Sequence, residues 1–205
     1  MKIIGLVGGI GSGKSTVARL IAGREGVTVI DADQLGHEVL RQDEVKTLIK
    51  ALWGDAPFGD DGEIDRRKMA KLVFSGTDNS NENLEHLNNI SHPRITDLMI
   101  KHLEAANSVD VRLVLIDAPL LLEGGWDRYC DDMVFVESPT SARIARVLER
   151  GWTSEEFQVR TANQLPLETK REAAHFFIEN DCSLVELEHR VEAVVQRVLS
   201  GFDAE

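Results

Sequence analysis

The chain reads as an α/β protein, a five-stranded parallel sheet flanked on both faces by helices. Two observations carry that reading. Short, almost wholly apolar runs recur at Lys2–Val7 (KIIGLV), Val27–Ile30 (VTVI), Val111–Ile116 (VRLVLI), Met133–Glu137 (MVFVE) and Phe176–Ile178 (FFI), separated by helical stretches. Apolar strands that alternate with helices belong to a parallel sheet covered on both sides. The second observation is a glycine-rich run, GLVGGIGSGKST, between the first strand and the first helix.

The first strand runs directly into that loop, in which five of the twelve residues 5–16 are glycine. Glycine loses more backbone freedom on folding than any other residue, so such clustering marks a backbone with a task of its own. Gly8-x-x-x-x-Gly13-Lys14-Ser15 fits the phosphate-loop pattern GxxxxGK[ST] at every specified position. The pattern requires a strand before it and a helix after it. Lys2–Val7 supplies the strand, and Ser15–Ala22 (STVARLIA) places Val17, Leu20 and Ile21 on one helical face. Small residues let N–H groups turn inward around phosphates, and the helix adds its positive N-terminal end. The nucleotide-binding residues expected are Gly11, Ser12, Gly13, Lys14, Ser15 and Thr16. Lys14 is long enough to reach the β- and γ-phosphates of ATP, and the Ser15 hydroxyl suits Mg²⁺.

The second strand ends in Asp31-Ala32-Asp33, and ligands of open parallel sheets sit beyond the carboxyl ends of strands. Asp33 is placed to orient or deprotonate an attacking hydroxyl; alternatively, one of the two aspartates caps the helix through Val39 and Leu40. Asp117 closes the third strand, either as an acid near Mg²⁺ acting through water or as a cap before Pro119. The last helix, near Leu184–Leu199, carries Leu184, Leu187, Val191, Val194, Val195 and Val198 at 3–4 spacing, which predicts a core-facing stripe.

Two segments exceed a minimal sheet-and-helix unit. Residues 35–106 form a mostly polar helical pattern between strands two and three, longer than one crossover needs. Residues 140–164 carry Arg143, Arg146, Arg150 and Arg160 at helical spacings. These arginines form either a solvated helix face or a lid that closes over a transferring phosphate.

Composition sets the limits. The 205 residues suffice for one core, with 42% hydrophobic and 28% charged residues, ordinary values for a globular protein. The net charge of −12 argues against nucleic acid as a partner and demands local positive charge if ATP is bound. No apolar run approaches the ~20 residues of a membrane span, and the N-terminus leaves no room for a signal peptide, so a cytoplasmic location is expected. Cys130 and Cys182 lack metal-site spacing and read as free thiols.

Taken in order, these residues resemble the dephospho-coenzyme A kinase family. The resemblance runs through GLVGGIGSGKS at 5–15, Asp31-Ala32-Asp33, Gly62-Glu63-Ile64-Asp65-Arg66 with Val73-Phe74, and His92-Pro93-Arg94-Ile95. It continues in Asp117-Ala118-Pro119-Leu120-Leu121-Leu122-Glu123 and Gln164-Leu165-Pro166-Leu167 with Lys170. The resemblance implies a P-loop NTPase fold in three parts: a nucleotide core (about 1–34, 107–139 and 165–205), a helical acceptor-binding insert (about 35–106) and a helical lid (about 140–164). It implies transfer of the γ-phosphoryl of ATP, with Mg²⁺, to the ribose 3′-hydroxyl of dephospho-CoA, the last step of coenzyme A synthesis. Asp33 matches the family's acceptor-side acid, Arg66 and His92 fall in its acceptor insert, and Arg146, Arg150 and Arg160 in its lid. Without the family, His92-Pro93 reads as a turn. The family commonly has an acidic or amide residue after the second lid arginine, where this chain has Gly151, and an aromatic at Leu122.

No Asn-Lys-x-Asp guanine-reading motif occurs, which sets the chain apart from GTPase switches, and its length leaves no room for a second nucleotide domain. A nucleoside monophosphate kinase or another small-molecule P-loop kinase is the alternative, because loop, acid and lid are common to both. Small-molecule substrates are expected, and no obligate protein partner is evident.

Overall fold

The computed structural model describes residues 1–74, 79–108 and 110–202. Residues 75–78 of the expected insert, and 109 and 203–205 of the expected core, lie outside the described residues. In chain order the elements are β1 (Lys2–Val7), α1 (Lys14–Ala22), β2 (Val27–Asp31), α2 (Ala32–Leu40), α3 (Asp43–Trp53), α4 (Arg66–Phe74) and α5 (Ser80–Asn107). They continue as β3 (Leu113–Asp117), β4 (Asp132–Glu137), α6 (Thr140–Glu149), α7 (Ser154–Ala162), α8 (Leu167–Glu172), β5 (Phe176–Glu179) and α9 (Leu184–Phe202). The chain divides into two compact units, Met1–Asp31 with His102–Glu205, and Ala32–Lys101.

In the first unit the five strands form one parallel sheet in the order β2-β3-β1-β4-β5. β2, β3 and β5 each run one residue past the apolar stretch, to Asp31, Asp117 and Glu179. Ladder hydrogen bonds are made by backbone, so polarity that ends a sequence pattern does not end a strand. Asp31 is in register with Asp117, so two carboxylates stand side by side at the C-terminal edge of the sheet. The core beneath joins Ile4, Leu6, Leu115, Val134 and Ile178 of the sheet to Val17 and Ile21 of α1 and Val191, Val195 and Val198 of α9. Leu184, read from its spacing as core, is instead 61% exposed. It stands at the first residue of α9, where the helix has not yet reached the sheet's apolar face. The stripe proper begins at Leu187.

Both cysteines are free thiols. Burial, then Asp127 and Asp131, push the Cys130 thiol up to about 12, so it stays neutral. No helix among the described residues is long and apolar enough to cross a membrane.

The second unit is helical. Asp65 Oδ1 accepts from the N–H groups of Arg67 (2.7 Å) and Lys68 (3.1 Å), capping α4 and holding its own carboxyl below the usual range through those bonds. His92-Pro93 is not a turn, because Pro93 lies inside the 28-residue α5. Side chains brace that stretch: Ser91 Oγ donates to Leu87 O at 2.8 Å, Arg94 Nη1 to Ile90 O at 2.8 Å and Thr96 Oγ1 to His92 O at 2.9 Å. Ile95 and Met99 are buried one turn apart just beyond the proline. This tertiary anchoring outweighs the hydrogen bond that proline removes.

Gly151 also finds its explanation. α6 ends at Glu149 with Arg150 as its C-cap, Gly151 adopts φ 82°, its N–H donates to Leu148 O (2.9 Å), and Trp152 N–H donates to Val147 O (3.1 Å). That is the Schellman closure, which needs a residue tolerant of left-handed backbone. Short acidic and amide side chains are the next most tolerant after glycine, so Gly151 preserves the cap geometry. Gly151→Ala is expected to destabilise the protein by about 1–2 kcal/mol, and Gly151→Asn by less. Thermal unfolding of both variants checks this; equal losses would mean the left-handed conformation is not the constraint.

Candidate active site

Between Val7 at the end of β1 and Lys14 at the start of α1, six residues form the loop. Gly13 stands at the N-cap of α1 and offers no side-chain cap, which leaves the first helical N–H groups for an anion. A loop whose amides face a ligand must send its carbonyls elsewhere, and here nearly all of them meet cations or amides. Lys14 Nζ donates to Gly8 O (2.8 Å) and Gly9 O (3.3 Å). Arg143 Nε donates to Ile10 O at 2.9 Å. Arg146 Nη1 donates to Gly11 O (3.1 Å) and Ser12 O (3.2 Å), and its Nη2 to Asn180 O at 2.9 Å. Asn180 Nδ2 donates to Ser12 O at 2.7 Å. The Ser138 hydroxyl lies 3.0 Å from Ser12 O and 2.7 Å from Asn180 O, and accepts from Arg146 Nη1 at 2.9 Å.

Charge is concentrated behind this loop. Lys170 is 2% exposed, with Nζ 2.8 Å from Glu123 Oε1 and 3.1 Å from Gln164 Oε1. Glu123 Oε1 also accepts from Leu165 N–H at 2.9 Å, so the segment 164–170 is pinned to the end of the stretch that follows β3. Burial, and next the Lys170 charge, lower the Lys14 ammonium to about 8; Arg143 pushes the same way, and Asp117 and Glu123 act against it.

The sequence-named residues fall as follows. Gly11, Ser12 and Gly13 are buried in the loop, Lys14 and Thr16 are half-buried, and Ser15 is exposed in the first turn of α1. Asp117 is half-buried at the end of β3, near enough for its charge to act on Lys14. Arg146 is half-buried against the loop. Arg150 is exposed where α6 ends, and Arg160 of α7 lies over the Trp152 ring, 4.3 Å from its centroid. In the second unit, Asp33 is exposed in the first turn of α2 and Arg66 is exposed at the start of α4. His92 is half-buried in α5, and burial holds its imidazole below the ordinary value, so at pH 7 it is a neutral hydrogen-bonding group.

Sequence reasoning missed Asn180 and Ser138 and gave no task to Lys170 or Glu123, although both stand in motifs it quoted. Arg143 stood out only by spacing with the other arginines. Nothing local marks Asn180, which is the first residue past β5. Only the sheet order, which puts β4 and β5 next to β1, brings it to the loop.

The family model described as "CoaE: Dephospho-CoA kinase" matches residues 2–186. A dephospho-CoA kinase of Dehalococcoides mccartyi is 34% identical over 200 residues, covering 97% of this chain and 98% of that protein. One from Deinococcus radiodurans is 38% identical over 196 residues, covering 95% and 91%. The crystal structure of TT1252 from Thermus thermophilus superposes with a TM-score of 0.78 at 36% identity, covering 96% of this chain and 97% of that one. With a family match across nearly its whole length and relatives above 30% identity that it spans almost end to end, the chain belongs to the dephospho-CoA kinase family.

Proposed function

We propose that this protein transfers the γ-phosphoryl group of ATP to the ribose 3′-hydroxyl of dephospho-CoA, giving CoA and ADP in the cytoplasm. Family membership supports the acceptor. The observation that carries the transfer chemistry is Lys14, a half-buried ammonium on a loop whose carbonyls from Ile10 to Ser12 are held by Arg143, Arg146 and Asn180. A phosphate that reaches the loop offers Lys14 a better partner than Gly8 O and Gly9 O, and restores the proton that burial weakens. The hydroxyl of Ser15 and the carboxylate of Asp117 are hard oxygen donors of the kind Mg²⁺ takes alongside substrate phosphates. When bound, Mg²⁺ supplies neutralisation of charge on the β- and γ-oxygens.

Phosphoryl transfer leaves a protein mostly positioning and electrostatic work. In this reading Asp33 orients the acceptor hydroxyl and takes its proton, while Arg66 and His92 grip more remote parts of dephospho-CoA. Binding energy spent away from the reacting oxygen then serves orientation. In this reading the lid is carried by Arg150, exposed where α6 ends, and Arg160 of α7, while Arg146, the third arginine expected there, stays against the loop. The nucleoside monophosphate kinase alternative gains no support from the family match, which extends through the acceptor insert.

Release of ADP with dephospho-CoA, adenosine, AMP, CMP and shikimate as acceptors tests the assignment. Dephospho-CoA is expected to have the highest kcat/KM, with adenosine alone well below it; faster turnover of AMP or CMP would replace the reading. Asp33→Asn is expected to lower kcat by about a hundredfold or more with little change in ATP affinity. Unchanged turnover per folded molecule would return Asp33 to a purely structural role. The Lys14 ammonium sets a pH limit: in the free enzyme it loses its proton above about 8, so kcat/KM for ATP falls as pH rises through that value. In Lys170→Met/Glu123→Gln, which removes the larger opposing charge without stranding its partner, the alkaline limb moves to higher pH. A limb that stays in place would mean Lys170 does not tune Lys14.

A further inference from the structure

Of the glycines in the loop, Gly8, Gly11 and Gly13 have φ of 147°, 76° and 94°, a backbone that side chains rarely adopt. Gly9 does not have a positive φ, and the GxxxxGK[ST] pattern leaves its position unspecified. Its backbone does not sit in the left-handed region that favours glycine. What forbids a side chain there is contact: a Cβ at position 9 would sit 2.5 Å from Arg143 Cζ, 2.7 Å from its Nη2 and 2.8 Å from its Nε. The guanidinium is held where it stands: Arg143 is 4% exposed, its Nε is engaged with Ile10 O at 2.9 Å, and its Cζ lies 5.5 Å from the centre of the Phe157 ring. The backbone of the same residue presses on the loop as well, since a Cβ at Gly11 would meet Arg143 O at 2.5 Å.

We propose that Arg143 is a positioning residue of the phosphate loop, and that position 9 is glycine because Arg143 occupies the space a side chain there would need. Arg143 does not act on the phosphates. It fixes the peptide between Ile10 and Gly11 by taking the Ile10 carbonyl, so that the loop amides keep one orientation before nucleotide arrives. A loop already in its binding conformation does not have to be ordered at the expense of ligand affinity. Arg146, one turn further along α6, takes the next two carbonyls, so α6 acts as a splint from Ile10 to Ser12. This inference rests on the reading of the loop as the ATP site; its structural half does not.

The test is a double-mutant cycle of Gly9→Ala and Arg143→Ala, with Arg143→Leu as a second background should Arg143→Ala not fold. Two readouts are taken: the thermal midpoint without ligand, and KM for ATP against kcat at saturating ATP and dephospho-CoA. In the parent, Gly9→Ala is expected to lower the midpoint by about 4 °C or more, as overpacking does. In the Arg143→Ala background the same change is expected to cost less than half as much. Arg143→Ala is expected to raise KM for ATP about tenfold while kcat and KM for dephospho-CoA change less than about twofold. Equal effects of Gly9→Ala in both backgrounds would overturn the dependence of Gly9 on Arg143. Coupled midpoints with an unchanged KM for ATP would overturn the positioning role. A parent that turns over no ATP would overturn the proposed function, and the coupling in thermal midpoints would still decide the contact.

Discussion

A loop that turns its amides toward a ligand leaves its carbonyls to be satisfied from the other side, and the rest of this site follows from that constraint. Buried backbone carbonyls without partners are costly, so the fold must bring donors to the back of the loop. It does so from two stretches far from the loop in sequence: Ser138 with α6, which brings Arg143 and Arg146, and the residue after β5, which brings Asn180. The sheet order makes this possible, because β4 lies beside β1 and β5 beside β4. The loop is therefore defined by its reverse face as much as by its glycines.

Charge obeys a related economy. A chain of net −12 gathers Lys14, Arg143, Arg146 and Lys170 around one loop, and such a cluster repels itself. Carboxylates moderate the repulsion: Glu123 pairs directly with Lys170, and Asp117 acts on Lys14 through space. Lys14 is left with a weakened proton and hydrogen bonds to the carbonyls of Gly8 and Gly9, and this is the state in which an incoming phosphate gains most. Glu123 holds the segment 164–170 by a backbone bond and a charge pair at once, which ties the stretch after the two arginine-bearing helices to the rim of the sheet.

Much of the frame was legible in the sequence because it rests on strong local signals. The five strands, the loop and the first helix follow from apolar runs and a motif that names four of its positions. What periodicity could not give is where an element's partner begins. Leu184 fits the stripe of α9 yet lies beyond the sheet's reach. Pro93 looks like a break, but buried Ile95 and Met99 and the side-chain bonds of Ser91, Arg94 and Thr96 carry the helix across it. In the site, Lys14 announces itself, whereas Asn180 is one polar residue after a strand and becomes part of the loop only through sheet order. Arg143 was visible as one of a row of arginines; that it is buried beneath the loop could not be read from spacing.

The three tryptophans are placed so unequally that the protein carries its own optical gauge. Trp126 is 3% exposed, and Trp53 donates its indole N–H to Asn83 Oδ1 at 2.8 Å, so each sits in a fixed setting. Trp152 instead has the Arg160 guanidinium 4.3 Å from the centre of its ring, just past the glycine that ends α6. A guanidinium over an indole face perturbs the excited state of that ring and leaves the other two indoles untouched. With one tyrosine in the chain to contribute beside them, ultraviolet emission divides into a steady part and a part that follows the position of one side chain on α7.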